Sequence, residues 1–397
     1  MSNSIQKWFS STEMFRRLRP DLFLTWLKQS EGYFTKHGLI IPADCSGFER
    51  NAFQPGFDYD GLVRIFMERT ADIPPELVEG LHMIHEMGTP GRYDKMKAEV
   101  QRAGLDLELG PRATSLDLAL FLLLRHPRGL QDLHARIEVM RRRKFVYFLA
   151  ESRPLPAFTE VKLAQQRELE ARLSDFYAAW GRGPAVKVSS FCQQRLKHGS
   201  PEWLFLVQHA EVHRREEVLE KGVPKPWLFQ PWVFSRLKYD PARGEMGVNC
   251  SAEHERKILL KIFGRVLFGR ENFFPMEAKY DLFPVLRDGR AITACRDVPG
   301  IEHVSMTAVE FSDPDSKRRS IHHAPDIFSL VEGREIRWPE KVEHFASATF
   351  TVKLWRQKRE RKVTIMPSNE ALYSRDEESA LLELWLEARR LSVAFAA

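Results

Sequence analysis

The stretch ASATFTVKLW near the C-terminus places the tightest constraint on the fold. Ala348, Phe350, Val352 and Leu354 alternate with Thr349, Thr351 and Lys353. A period of two suits a half-buried β-strand, one face on a core and one in water. The sequence KVTIM returns with Val363 and Ile365 inward, which predicts a hairpin. SRDEESALLELWLEARRL follows as a helix. Ser374 and Glu377 form an S-x-x-E box, Asp376, Glu377 and Glu378 sit at its positive end, and Arg389 and Arg390 at its negative end.

The same order of elements occurs upstream. WVFSRLKYDPARGEMGVNC reads as a hairpin with Val233, Leu237 and Tyr239 facing Met246, Val248 and Cys250 across a turn at Asp240, Pro241 and Gly244. A helix follows, with Ser251 as its cap, a stripe of Ile258, Leu259, Ile262, Phe263, Val266 and Leu267, and Gly269 at its end. Two ββα units are therefore expected, without sequence identity between them. EAKYDLFPVL and EHVSMTAVEF between them are strand-like.

The first part of the chain carries the helical period instead. After Pro20, Leu22, Phe23, Trp26 and Leu27 share a face; Leu77, Val78, Leu81 and Ile84 form a second stripe ending at Gly88; TSLDLALFLLLRHP opens on a capping arrangement of Thr114 and Asp117. GLQDLHARIEVMRRRKFVYFLA reads as helical throughout. The proline-bearing ESRPLPAF marks a boundary, and a long helix follows, about 160 to 180, with Leu169, Leu173, Phe176 and Trp180 as its stripe. The expected class is α+β: an all-α domain over 1–150, a long helix and connecting segment over 151–225, and antiparallel hairpins with helices over 226–397.

With 43% hydrophobic residues the chain is globular, and 397 residues exceed one ordinary core. The four cysteines are dispersed with no C-x-x-C, which argues against a zinc ribbon or disulfide framework and suits a reducing cytosol. The most apolar window, Leu116 to Leu124, is far short of the ~20 residues a bilayer needs, and the N-terminal segment has no signal-peptide core. A cytoplasmic protein with no membrane partner is expected. No Gly-rich phosphate loop, dinucleotide fingerprint or G-x-S-x-G occurs, and nothing calls for a cofactor.

Three groupings remain. His82, His85 and Glu86 lie at i, i+3 and i+4 of one helix, where imidazole and carboxylate can share a divalent metal, or simply flank an apolar stripe. Glu277 and Lys279 make an acid-x-lysine pair on an expected strand. Metal-dependent nucleases use such a pair, together with an upstream acid for which Asp240, Glu245 and Glu271 are candidates. Basic runs occur at Arg16 to Arg19, Arg141 to Lys144, Lys317, Arg318 and Arg319, and most densely at Lys353, Arg356, Lys358, Arg359, Arg361 and Lys362, beside Trp355. Cations hold phosphates and flat rings hold bases or sugars. With a net charge of +6 and a pI near 9.1, the expectation is a non-enzymatic nucleic-acid-binding component, DNA foremost, of a larger intracellular complex. Defence against foreign DNA or DNA maintenance would suit such a part. A nuclease and a protein–protein adaptor are the alternatives. The acidic start of the last helix counts against that helix end entering a groove.

Overall fold

A computed structural model describes residues 11–43, 57–67, 73–107, 109–110, 113–151, 154–193, 201–220, 223–276, 279–312, 318–336, 338–367, 369–375 and 378–392. The fold is α+β, with a helical N-terminal region and a large antiparallel sheet. The chain divides into two compact units, 1–137 and 138–397.

The first unit is built from α1 (Thr12–Arg16), α2 (Pro20–Lys28), α3 (Glu31–Lys36), α4 (Tyr59–Met67), α5 (Pro75–Met87), α6 (Tyr93–Arg102), α7 (Ser115–Arg125) and most of α8 (Pro127–Met140). The Thr114–Asp117 capping box forms as expected: Asp117 N–H donates to Thr114 Oγ1 at 3.3 Å, and Thr114 N–H donates to Asp117 Oδ2 at 2.7 Å. On α5 the buried residues are Leu77, Gly80, Leu81, Met83, Ile84 and Met87, while Val78 is 49% exposed. Gly80 rotates the stripe away from Val78, because a Cβ at 80 would lie 2.4 Å from the Trp26 ring.

The expectation of a helix through Leu149 fails. Helix α8 stops at Met140, and Lys144–Leu149 is β1, a central strand. Phe145 to Leu149 are all buried. A continuous apolar and aromatic run fits a strand covered on both faces, which a helix-period reading does not distinguish.

The second unit holds α9 (Leu163–Ala179), β2 (Val186–Gln193), β3 (Glu202–Ala210), β4 (Arg214–Glu220), β5 (Val223–Phe229), β6 (Trp232–Asp240), β7 (Glu245–Asn249), α10 (Glu253–Phe268), α11 (Phe283–Asp288), β8 (Ile301–Ser312), β9 (Arg319–His323), α12 (Ile327–Glu332), β10 (Phe345–Leu354), β11 (Arg361–Met366), β12 (Glu370–Leu372) and α13 (Ser379–Ala388). Among the described residues ten strands form one sheet in the order β2-β3-β6-β7-β1-β12-β11-β10-β8-β9; β4 and β5 pair separately. The first expected ββα unit is present as β6-β7-α10; in the second, β10-β11-β12-α13, a third short strand that pairs with β11 and β1 comes before the helix.

Register decides which face each unit covers. Phe205, Leu237, Val248 and Val146 lie side by side across β3, β6, β7 and β1, and α10 packs there, with Phe263 5.1 Å from Phe205. Phe145, one residue from Val146, points the other way. Its neighbours are Ala371, Ile365 and Ala348, and Phe350 on that face meets Trp385 of α13 at 5.1 Å. The two helices thus cover opposite faces of one sheet.

Smaller expectations shift. The buried stripe of α9 is Leu169, Leu173 and Tyr177, so Trp180 faces outward. Ala252, not Ser251, is the N-cap of α10; Ser251 Oγ instead donates to Glu255 Oε2 at 3.0 Å. Gly269 ends that helix at φ 74° as expected. The expected Ser374–Glu377 box falls partly outside the described residues, at Glu377, and α13 begins at Ser379. The strand expected around Lys279 reduces, among the described residues, to single bridges at Met276 and Tyr280, and Pro284 opens α11 in place of its continuation.

Candidate nucleic-acid interface

The dense basic run closes the β10–β11 hairpin. Phe350 pairs with Val363 and Val352 with Arg361, so Trp355 to Glu360 form the tip. Arg356 sits in the left-handed region at φ 64°, which turns the chain. The tip is anchored: Trp355 N–H donates to Gly300 O at 2.9 Å, Gln357 N–H to Leu354 O at 3.2 Å, and Lys353 Nζ to Lys358 O at 3.2 Å. Gly300 is required there, with φ 107° and the Leu381 side chain 3.0 Å from where a Cβ would sit.

The six hairpin cations are not equivalent. Arg361 is partly sheltered and pairs with the Glu378 carboxylate, which also accepts from the Gln357 amide. The acidic helix start therefore pins the base of the hairpin. Lys353 is half-buried, its ammonium spent on a carbonyl. Arg356, Lys358, Arg359 and Lys362 are exposed beside Trp355, and the Arg356 guanidinium stands 5.9 Å from the Trp355 ring centroid.

The sheet sorts the other basic runs of the second unit. Lys144 pairs with Leu372, and Leu372 with Thr364, two residues beyond Lys362. Two strand spacings, about 10 Å, separate Lys144 from Thr364, so exposed Arg142, Arg143 and Lys144 share the hairpin's end of the sheet, with Lys144 in an ion pair with Glu370 at 2.8 Å. Arg318 and Arg319 do not. Arg319 pairs in register with Ser312, and Ile301 of the same strand pairs with Leu354 at the hairpin end. The length of β8, roughly 35 Å, lies between them. Arg319 also ion-pairs with Glu310 at 3.3 Å. Lys317 lies outside the described residues. The sequence shows that the run at Lys144 is basic; only strand order shows that it joins the hairpin.

The other groupings stand apart. Glu277 lies outside the described residues. Lys279 is 3% exposed and ion-pairs with Glu245, which is 6% exposed. Its ammonium is 3.7 Å from the Tyr147 ring centroid. Of the three upstream acids suggested by sequence, Glu245 is thus the partner, as a buried counter-ion. Around it, Lys238 Nζ donates to Glu202 at 3.0 Å, Arg375 Nε to Tyr147 Oη at 2.9 Å and Tyr373 Oη to Glu383 at 3.2 Å. Gly247 lies between Lys238 and Tyr147 in register, and a Cβ there would meet both within about 3.0 Å. This charged core sits where the two halves of the sheet join.

On α5, the ligand atoms of His82, His85 and Glu86 do not gather within 4.8 Å of one another. Glu86 pairs with Arg92 at 3.4 Å, and burial lowers the His85 pKa.

Sequence reading missed a second buried network. Glu255, with no exposed surface, accepts from Ser235 Oγ at 2.6 Å, Tyr177 Oη at 2.9 Å and Ser251 Oγ at 3.0 Å, and lies 3.3 Å from Arg182 and 3.4 Å from His209. Burial by itself raises this carboxyl's pKa. Hydrogen bonds from His209, Ser235 and Tyr177 outweigh that and hold it at about 2. These residues come from α9, β3, β6, α10 and the loops after α9 and before α10, so no local pattern announces them.

Among the described residues no helix is long and apolar enough to cross a membrane. No protein-family model matches this chain, and no curated protein matches it.

Proposed function

We propose that the hairpin end of the sheet binds the phosphate backbone of nucleic acid, as the non-catalytic part of a larger assembly that handles DNA. The observation that supports this reading is the anchored tip, which holds exposed Arg356, Lys358, Arg359 and Lys362 beside an exposed tryptophan, with Arg142 and Arg143 at the same end. A fixed backbone lowers the ordering cost of gathering several cations on one polyanion. Arg361 acts as a brace through Glu378, and Arg318 and Arg319 are too distant to join one short site.

Replacing Arg356, Lys358, Arg359 and Lys362 by Ala tests the reading. Six phosphate contacts, from these four residues with Arg142 and Arg143, imply a loss of affinity on the order of a thousandfold between about 50 and 200 mM salt. The fourfold variant should bind far more weakly and with a shallower salt dependence, whereas Arg318→Ala with Arg319→Ala should bind like the native chain. Undiminished binding by the fourfold variant would sink the assignment.

One observation favours a protein-binding role alongside it. Among the described residues the β4–β5 hairpin pairs with no other strand, and it exposes Val223, Trp227 and Leu228; a lone two-stranded hairpin is marginal in water without a surface to pack on. Changing Trp227 and Leu228 to Ser should cost the chain its protein partners and spare nucleic-acid affinity; unchanged co-purification would retire this role.

A further inference from the structure

One side chain of the hairpin is not accounted for by phosphate contacts. Trp355 is 69% exposed, more than any other described Trp, Tyr or Phe. Its exposure does not come from a loose backbone. Its own N–H is bonded to Gly300 O at 2.9 Å, and the turn that follows is closed by Gln357 N–H to Leu354 O. Below it, Gln357 and Arg361 are both held by Glu378. The indole is therefore carried outward on a braced turn, with the Arg356 guanidinium 5.9 Å from its centroid.

The sheet face next to the tip is polar. Thr349 and Thr364 share a hydroxyl–hydroxyl hydrogen bond at 2.9 Å, as do Thr351 and Thr307. Thr351 pairs in register with Lys362, and Lys353 with exposed His303. These side chains lie on the face opposite Phe350 and α13, and they continue the polar surface of the tip along the strands.

Duplex nucleic acid keeps its base faces stacked inside and offers phosphates and groove edges. A single strand offers the flat faces themselves, and an exposed ring flanked by cations suits it. We propose that this tip prefers single-stranded to duplex nucleic acid, with an unpaired base stacked on Trp355 and the adjoining phosphates held by Arg356, Lys358, Arg359 and Lys362. The inference rests on the phosphate-binding reading above and adds the form of the ligand to it.

The test uses the full chain and fluorescence anisotropy with labelled oligothymidylate and oligouridylate of about 16 nucleotides, and a DNA duplex of the same length. The native chain should bind at least one of the single strands more tightly than the duplex. Trp355→Ala should lower that single-strand affinity roughly ten- to a hundredfold, leave duplex affinity unchanged, and leave the salt dependence unchanged, because the indole carries no charge. Trp355→Phe should restore most of the loss. Salt-sensitive binding of both forms, with Trp355→Ala lowering both equally or neither, would overturn the single-strand preference and leave the phosphate reading intact. Absence of salt-sensitive binding to any of the probes would overturn both. The substituted side chain stands in solvent at the tip, and an unchanged thermal midpoint confirms that each variant is folded.

Discussion

Lys279 decides between a lysine that orients a water and a lysine that holds a buried carboxylate. It is enclosed: its ammonium pairs with Glu245 and lies against the rings of Tyr147, at 3.7 Å, and Tyr280, at 5.3 Å. Burial depresses its pKa, and Glu245 pulls it partly back. Lys279→Met keeps the length of the side chain and removes its charge, leaving Glu245 buried without its cation. Breaking one partner of such a pair costs about 3–5 kcal/mol, a large share of the ~5–15 kcal/mol that holds a typical domain folded. Lys279→Met with Glu245→Gln removes both charges and should recover much of that loss. Guanidinium unfolding at neutral pH, followed by far-UV circular dichroism, should rank native first, the double variant second and Lys279→Met last. If Lys279→Met is as stable as the native chain, Lys279 does not serve as a buried counter-ion. If it then also abolishes a magnesium-dependent cleavage of DNA or RNA, the Glu-x-Lys nuclease gains the ground lost by the structural role.

Two further outcomes follow from buried geometry. The Glu255 pKa lies near 2 in the folded chain, below the ~4.3 of an unfolded glutamate. Its stabilisation is therefore complete above about pH 4.3 and is lost as pH falls toward 2, a total of about 3 kcal/mol. Glu255→Gln should flatten the pH dependence of unfolding in that window; an unaltered profile would show that the five donors do not hold the carboxylate. Gly264→Ala should destabilise the second unit by ~1–3 kcal/mol despite alanine's better helix propensity. A Cβ there would stand 2.6 Å from the backbone oxygen of Arg270 and 3.1 Å from that of Glu271. A raised melting temperature would contradict that packing.

Much of the element inventory was legible in the sequence, because the relevant patterns are local. Alternation along Ala348 to Leu354, the turn at Asp240 to Gly244 and the Thr114–Asp117 box each depend on neighbours a few residues away, and each forms as expected. The failures share one cause. Phe145 to Leu149 read as the end of a helix because an unbroken apolar run has no diagnostic period, and its partners β7 and β12 lie about a hundred and more than two hundred residues away in the chain. The sequence stripes put Val78 and Trp180 inward, because the edges of a stripe stay open until a partner such as Trp26 packs against it.

The candidate site divides the same way. By itself the sequence determined that a basic, tryptophan-bearing segment caps a hairpin ahead of an acidic helix start, since strand alternation forces the residues between two strands into a turn. Strand order and packing determined the rest. They set Arg361 against Glu378, brought Lys144 to the hairpin's end of the sheet, sent Arg319 to the far end of β8 and buried Lys279 on Glu245. Charge is a property of composition, but whether a charge faces solvent or a counter-ion depends on which distant residues the fold places beside it.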